Sequence, residues 1–261
     1  MWADMWADMW ADMRATLSFL TAFGRARPAA GSGAAAATNP SARALPWFPV
    51  VGALMGLALG GLWWCLVKIW PPAIAAVLVV ALDLAMTGLL HLDGLADSAD
   101  GLLPPMSRQR RLTVMRDPGT GAFAVAVVAV VLLSRFVVFA TLRPAPLLVG
   151  GLWCVSRTGM ATVIGRVPYA REQADGTGLA SAFMGRRLPI WAAGIAIGGS
   201  VAVATLWAFP AGEVAVDAAV VSFVGVIVLG VRRLGGFTGD VLGAAGLVAE
   251  TVGLLVAAAK W

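Results

Sequence analysis

Charge is scarce in this chain: only 13% of its 261 residues are Asp, Glu, Lys or Arg, while 60% are hydrophobic. Soluble domains carry about 25% charged residues, so the composition excludes an ordinary soluble globule and points to an integral membrane protein. Cysteine is nearly absent too. Cys65 and Cys154 both sit inside apolar runs, which excludes a disulfide framework and any CxxC redox or zinc pattern; they read as small buried hydrophobes. His91 is the single histidine. The net charge of +5 does not imply nucleic acid, because the arginines flank apolar stretches and are better explained as membrane-orientation signals.

What the chain has instead is long apolar windows, at about 48–67, 73–90, 121–142, 146–165, 189–209, 214–231 and 241–259. Each is long enough to cross a bilayer as a helix, and none shows the alternation of a barrel strand. The expected fold is all-α: a polytopic integral membrane bundle of about six to seven transmembrane helices. The opening "MWADMWADMWADM" (1–13) is a four-residue repeat unlike anything downstream. It reads as an upstream start-codon artefact, with a Trp-rich interfacial helix as the competing explanation. Residues 14–46 read as a cytoplasmic N-terminal arm, and 47–261 as one membrane-embedded catalytic domain.

The basic residues are distributed unevenly. Fourteen of nineteen fall in the arm and in loops 91–120, 166–188 and 232–240, whereas Lys68, Arg143 and Lys260 occupy the alternate joints. By the positive-inside rule this puts the N-terminus and the three polar loops in the cytoplasm.

Between two apolar windows stands "HLDGLADSADGL" (91–102). On a helix advancing about 100° per residue, Asp97 lies at about 40° and Asp100 at about −20° from Asp93. Three like charges on one face repel. Either water solvates them, or Mg²⁺ bridges them to substrate phosphates. His91 would point the other way, as an interfacial polar residue or as a ligand or base. Four charges fall within spans: Asp83, Arg135, Arg157 and Glu250. Mutual pairing and a substrate role are both open for them. "RDPGTGAF" (116–123) and "RRLGGFTGDVLGA" (232–244) each place glycines before an apolar run, an anion-friendly helix start, with Asp240 as a further carboxylate.

Together, "FLT" (19–21), "WFPVVGALMG" (47–56), "TGLLHLDGLADSADGL" (87–102), "VMRDPGTGAF" (114–123), "VPYAR" (167–171) and "LGGFTGDVLGA" (234–244) resemble the cobalamin synthase family, the adenosylcobinamide-GDP ribazoletransferases. The resemblance covers the chain from about Met13 onward. It departs from the family pattern at Ala22-Phe23, Leu92, the RDPGTGAF block and Gly246-Leu247.

The resemblance implies a multi-pass protein of the bacterial inner membrane. It implies adenosylcobinamide-GDP and α-ribazole, or α-ribazole 5′-phosphate, as substrates, GMP release, and Mg²⁺ as cofactor. The roles that follow place Asp93, Asp97 and Asp100 on the metal, and one of these carboxylates or His91 as proton acceptor. Arg116, Asp117, Arg157, Arg171, Thr238 and Asp240 are expected on the substrate and its phosphates. Membrane lipid is an expected partner, nucleic acid is not, and a homo-oligomer stays open. A CDP-alcohol phosphotransferase is disfavoured, because Asp97-Ser98 stands where that motif requires Ala-Arg. A transporter or ion carrier using the intramembrane charges is the alternative from another class.

Overall fold

A computed structural model describes residues 2–21, 44–170 and 187–261. Ten helices occur among these residues: α1 (Trp2–Leu20), α2 (Trp47–Leu66), α3 (Pro72–Thr87), α4 (Leu90–Leu102), α5 (Arg108–Val114), α6 (Ala122–Thr141), α7 (Pro146–Ile164), α8 (Ile190–Trp207), α9 (Ala211–Leu234) and α10 (Gly239–Ala257). Proline and glycine punctuate them. Pro72 and Pro146 open α3 and α7, and Pro46, Pro189 and Pro210 stand just before α2, α8 and α9, where a missing N–H is harmless. Gly88 and Gly235 close α3 and α9 in the left-handed region, at φ 59° and 76°.

Six helices, α2 and α6 to α10, are long and apolar enough to span a membrane, or up to seven spans if α3 and α4 count as one bent span. The all-α expectation therefore holds, and the expected windows match within a few residues. The 214–231 window is part of the longest helix, α9, of 24 residues. Its Glu213 is an exposed acid in the first turn, a placement favourable to the helix dipole. The "MWAD" repeat forms the first part of α1, with Trp6 and Trp10 exposed. Thr16 near the end of α1 donates to the Ala44 carbonyl at 3.0 Å, tying α1 to the start of α2. Most of the expected 14–46 arm lies outside the described residues.

The main correction concerns 91–120, expected as a polar joint. The acidic stretch is a regular helix, α4, turned 87° from α3. Gly88 and Leu89, the latter at φ 64°, make the turn, and the Leu89 N–H reaches back to the Leu84 carbonyl at 3.0 Å. A left-handed conformation costs a non-glycine residue about 1–2 kcal/mol, so packing around α4 has to hold this turn.

Close helix contacts explain how the bundle compacts without many charges. Gly52, Gly56 and Gly60 of α2 form a ridge against α7: added Cβ atoms would lie 2.6, 2.5 and 2.6 Å from Trp153, Val149 and Pro146 backbone atoms. Small residues at such spacing let membrane helices touch backbone to backbone. α10 is the hub, packing on α4, α6, α7 and α9.

The four charges within spans pair with one another. Arg135 bridges Asp83 at 3.0 Å and Glu250 at 3.2 Å, while Arg157 contacts the other Glu250 oxygen, which also accepts from Ser156 at 2.8 Å. All four side chains are buried, at 5% exposure or less. The quartet links α3, α6, α7 and α10 and is formally neutral. The transporter alternative needs these charges along a pathway; they are committed to each other instead, and that reading gains no support.

Removing one member of a buried ionic set leaves an uncompensated charge, at a cost of about 3–5 kcal/mol. Glu250→Gln, which strips both arginines of a partner, is expected to lower the thermal unfolding midpoint of detergent-purified protein sharply. Asp83→Asn is expected to lower it less, because Arg135 keeps Glu250. Equal midpoints for the two variants would contradict the asymmetry.

Candidate active site

Four of the sequence stretches singled out above meet at one end of the bundle. α4 lies across the first turn of α10, and the contact is made by glycine. A Cβ at Gly94 would sit 2.7 Å from the Asp240 carbonyl oxygen, and one at Gly243 would sit 3.3 Å from the His91 Cα. The 116–121 segment joins from the other side: Gly121 N–H donates to Asp100 Oδ2 at 2.6 Å and Ala124 N–H to Oδ1 at 2.9 Å. The fourth stretch is tied by main chain. Phe237 N–H donates to the Pro168 carbonyl at 2.9 Å, Ala170 N–H donates to the Phe237 carbonyl at 2.8 Å, and the Tyr169 and Phe237 rings meet edge to face at 5.3 Å.

Within this assembly the candidate residues separate by depth. Asp93 is exposed, and its carboxylate has no hydrogen-bond partner among the described residues. Asp97, Asp100 and Asp240 are half-buried, and Arg116 and Asp117 are exposed on the loop before α6. Asp117 Oδ1 accepts from the Gly119 N–H at 2.9 Å, which shapes that loop.

Three other candidates lie deeper. His91 is buried against Gly243, away from the Asp93 side of α4. Thr238 is fully buried; its hydroxyl caps α10 by accepting from Val241 N–H at 3.2 Å and also contacts Asp240 Oδ2 at 3.3 Å. Arg157 is fully buried in the ionic quartet. It packs beside Gly246, about 9 Å along α10 from Asp240 at 1.5 Å per residue. Arg171 lies outside the described residues.

Among the described residues no three His, Cys, Asp or Glu side chains converge as a ready-made cation cage. Mg²⁺ does not need one: it takes one or two carboxylates and completes its shell with water and phosphate oxygens. Asp93 and Asp97, one turn apart on the same face and not buried, fit that demand. Asp100 has both oxygens engaged with α6.

Two arginines of the basic loop have roles that charge counting missed. Arg108 Nε donates to the Leu234 carbonyl at 2.6 Å and Nη2 to the Ala170 carbonyl at 3.3 Å. Arg111 Nη1 donates to the Gly101 and Leu102 carbonyls at 2.7 and 2.9 Å. Both satisfy carbonyls left open at helix C-termini, of α9 and α4, as basic side chains commonly do. The glycines of the acidic stretch open space beside α4. They admit protein: Gly94 admits the α10 backbone, and Gly101 admits Met115, whose Sδ would lie 2.7 Å from an added Cβ.

The Gly94 contact yields a direct test. Gly94→Ala pushes α4 off α10 and is expected to reduce activity by about tenfold or more, on the scale of misplaced catalytic groups. Gly61→Ala, whose Cβ meets nothing within 4 Å, is the control expected to retain activity. Matching turnover in the two variants would show that the α4–α10 contact does not shape the site.

The family model for cobalamin-5-phosphate synthase matches residues 12–258. An adenosylcobinamide-GDP ribazoletransferase of Escherichia coli O127:H6 is 37% identical over 227 residues, covering 82% of this chain and 86% of the relative. The protein of the same name from Bradyrhizobium diazoefficiens is 37% identical over 236 residues, with 88% of each chain covered. Another, from Pseudomonas paraeruginosa, is 35% identical over 207 residues, covering 77% and 81%. No solved structure matches significantly. The match runs from within α1 to the end of α10 and takes in every stretch that meets around α4, so the chain belongs to the cobalamin-5-phosphate synthase family.

Proposed function

We propose that this protein is an adenosylcobinamide-GDP ribazoletransferase. It transfers the adenosylcobinamide-phosphate group to a hydroxyl of α-ribazole, or of α-ribazole 5′-phosphate, and releases GMP. The observation that carries this reading is the convergence of the Asp93–Asp100 face, the 116–121 loop and the α10 N-terminus at one end of the bundle. A pyrophosphate needs its charge balanced and its phosphorus held in line with the attacking oxygen. Little covalent work is left for the protein, so positioning and electrostatics dominate.

Asp93 and Asp97 are the residues that would hold Mg²⁺. The ion's contribution when bound is to neutralise charge on the pyrophosphate oxygens. Arg116 faces the phosphates from the loop before α6, with Arg171 as a second clamp. Asp240, in the first turn of α10, is a further contact to the substrate. A carboxylate of α4 takes the proton from the attacking hydroxyl. His91 and Arg157 support these groups from below, through the α4–α10 packing and the quartet.

Among the described residues, Arg108, Arg111 and Arg116 lie at the same end of the bundle as this site, which supports a cytoplasmic orientation in the inner membrane. The substrates then arrive from the cytoplasm, while the helices around the site stay in lipid.

Purified protein incubated with adenosylcobinamide-GDP and α-ribazole is expected to release GMP only when Mg²⁺ is present. Asp97→Asn is expected to reduce this by about a hundredfold or more, the upper range for loss of a metal-supporting group. Undiminished GMP release after exhaustive chelation would remove the metal from the proposal. Release independent of α-ribazole would remove the transfer.

A further inference from the structure

We infer that Asp100 is a positioning residue that fastens the 116–121 loop and the first turn of α6 against α4, whereas Asp93 and Asp97 face the substrate. This rests on the transferase reading for its functional meaning, but the fastening itself is read from geometry. α6 has no side-chain cap of its own, since its N-cap is Gly121. Its first amides would otherwise be unsatisfied donors. Asp100, from a different helix, supplies the missing acceptors: Oδ2 takes the Gly121 N–H at 2.6 Å and Oδ1 the Ala124 N–H at 2.9 Å.

The spacing of these two bonds, three residues apart on the acceptor's target, is that of an N-cap made from outside the helix. A carboxylate there also meets the positive end of the α6 dipole. The fit is tight. A Cβ at Gly121 would lie 2.7 and 2.8 Å from the two Asp100 oxygens, so only glycine lets the carboxylate close on both amides. The consequence lies in what precedes α6. Arg116 and Asp117 are exposed and sit five and four residues before the clamped Gly121 amide. Without the clamp their loop has one fewer anchor to the helix that carries Asp93 and Asp97.

A metal ligand and a clamp leave different signatures. Hydrogen–deuterium exchange of metal-free, detergent-purified protein reads the clamp directly. In Asp100→Asn, which keeps one acceptor oxygen but turns an amide donor toward the other N–H, exchange in the peptide spanning 119–126 is expected to speed up by about tenfold. Asp93→Asn is expected to leave it unchanged. Gly121→Ala, which crowds the carboxylate from the loop side at an exposed position, is expected to repeat the Asp100→Asn pattern and guards against a folding defect in the first variant.

In the activity assay, Asp100→Asn is expected to raise KM for adenosylcobinamide-GDP while the Mg²⁺ concentration for half-maximal rate stays within about twofold. Asp97→Asn should shift that concentration by about tenfold or more. Unchanged exchange at 119–126 in both Asp100→Asn and Gly121→Ala would overturn the inference, as would a Mg²⁺ shift for Asp100→Asn as large as that for Asp97→Asn. If no variant shows any Mg²⁺ dependence, the metal reading fails, and the exchange experiment still decides whether Asp100 clamps α6.

Discussion

The arrangement depends on one backbone contact, α4 lying on the first turns of α10. Two glycines, Gly94 and Gly243, remove the side chains that would keep these helices apart. In lipid there is no hydrophobic drive to press helices together, so close packing must supply the attraction. That contact also explains why α4 can leave the line of α3 at 87°. The left-handed Leu89 is tolerated because the helix it releases lands on α10 and is fastened at its far end by Arg111 and Asp100. α10 also carries Glu250, the centre of the ionic quartet. One helix thus sets both the seat of the acidic face and the polar floor beneath it.

Helix ends account for the electrostatics at this end of the bundle. Acids stand where amides are open: Asp100 on the α6 amides and Asp240 in the first turn of α10. Bases stand where carbonyls are open: Arg108 on the end of α9 and Arg111 on the end of α4. Each charge sits at the pole of the helix dipole that favours it. Asp93 is exposed on the outer face of α4.

Much of this was legible in the sequence, for physical reasons that differ by element. Apolar windows near twenty residues announce spans because only a helix satisfies its own backbone in lipid, and Pro46, Pro71, Pro146, Pro189 and Pro210 mark where helices begin. The acidic stretch and the glycine-led blocks were legible as chemistry. Their meeting was not, because contacts such as Gly94 with Asp240 join segments far apart in the chain. The sharp turn into α4 carried no signal either: a leucine at φ 64° has no composition that announces it. Arg108 and Arg111 look like any other loop arginines until the carbonyls of α9 and α4 are placed beside them. Likewise, the four intramembrane charges were visible one by one, but their pairing is a property of how α3, α6, α7 and α10 assemble.

That pairing joins charges that the chain supplies at widely separated times. As the chain emerges from the ribosome, α3 enters the bilayer with a lone acid, and α6 can settle beside it because Arg135 finds Asp83. α7 has no such companion. Arg157 must wait for Glu250, which is synthesised 93 residues later on α10. An unpaired arginine in the middle of a translocating helix costs about 2.5–3.5 kcal/mol. A chain cut before α10 would lack Glu250, the acid that Arg157 contacts, so the neutrality of α7 is a property of the finished bundle and not of the helix itself.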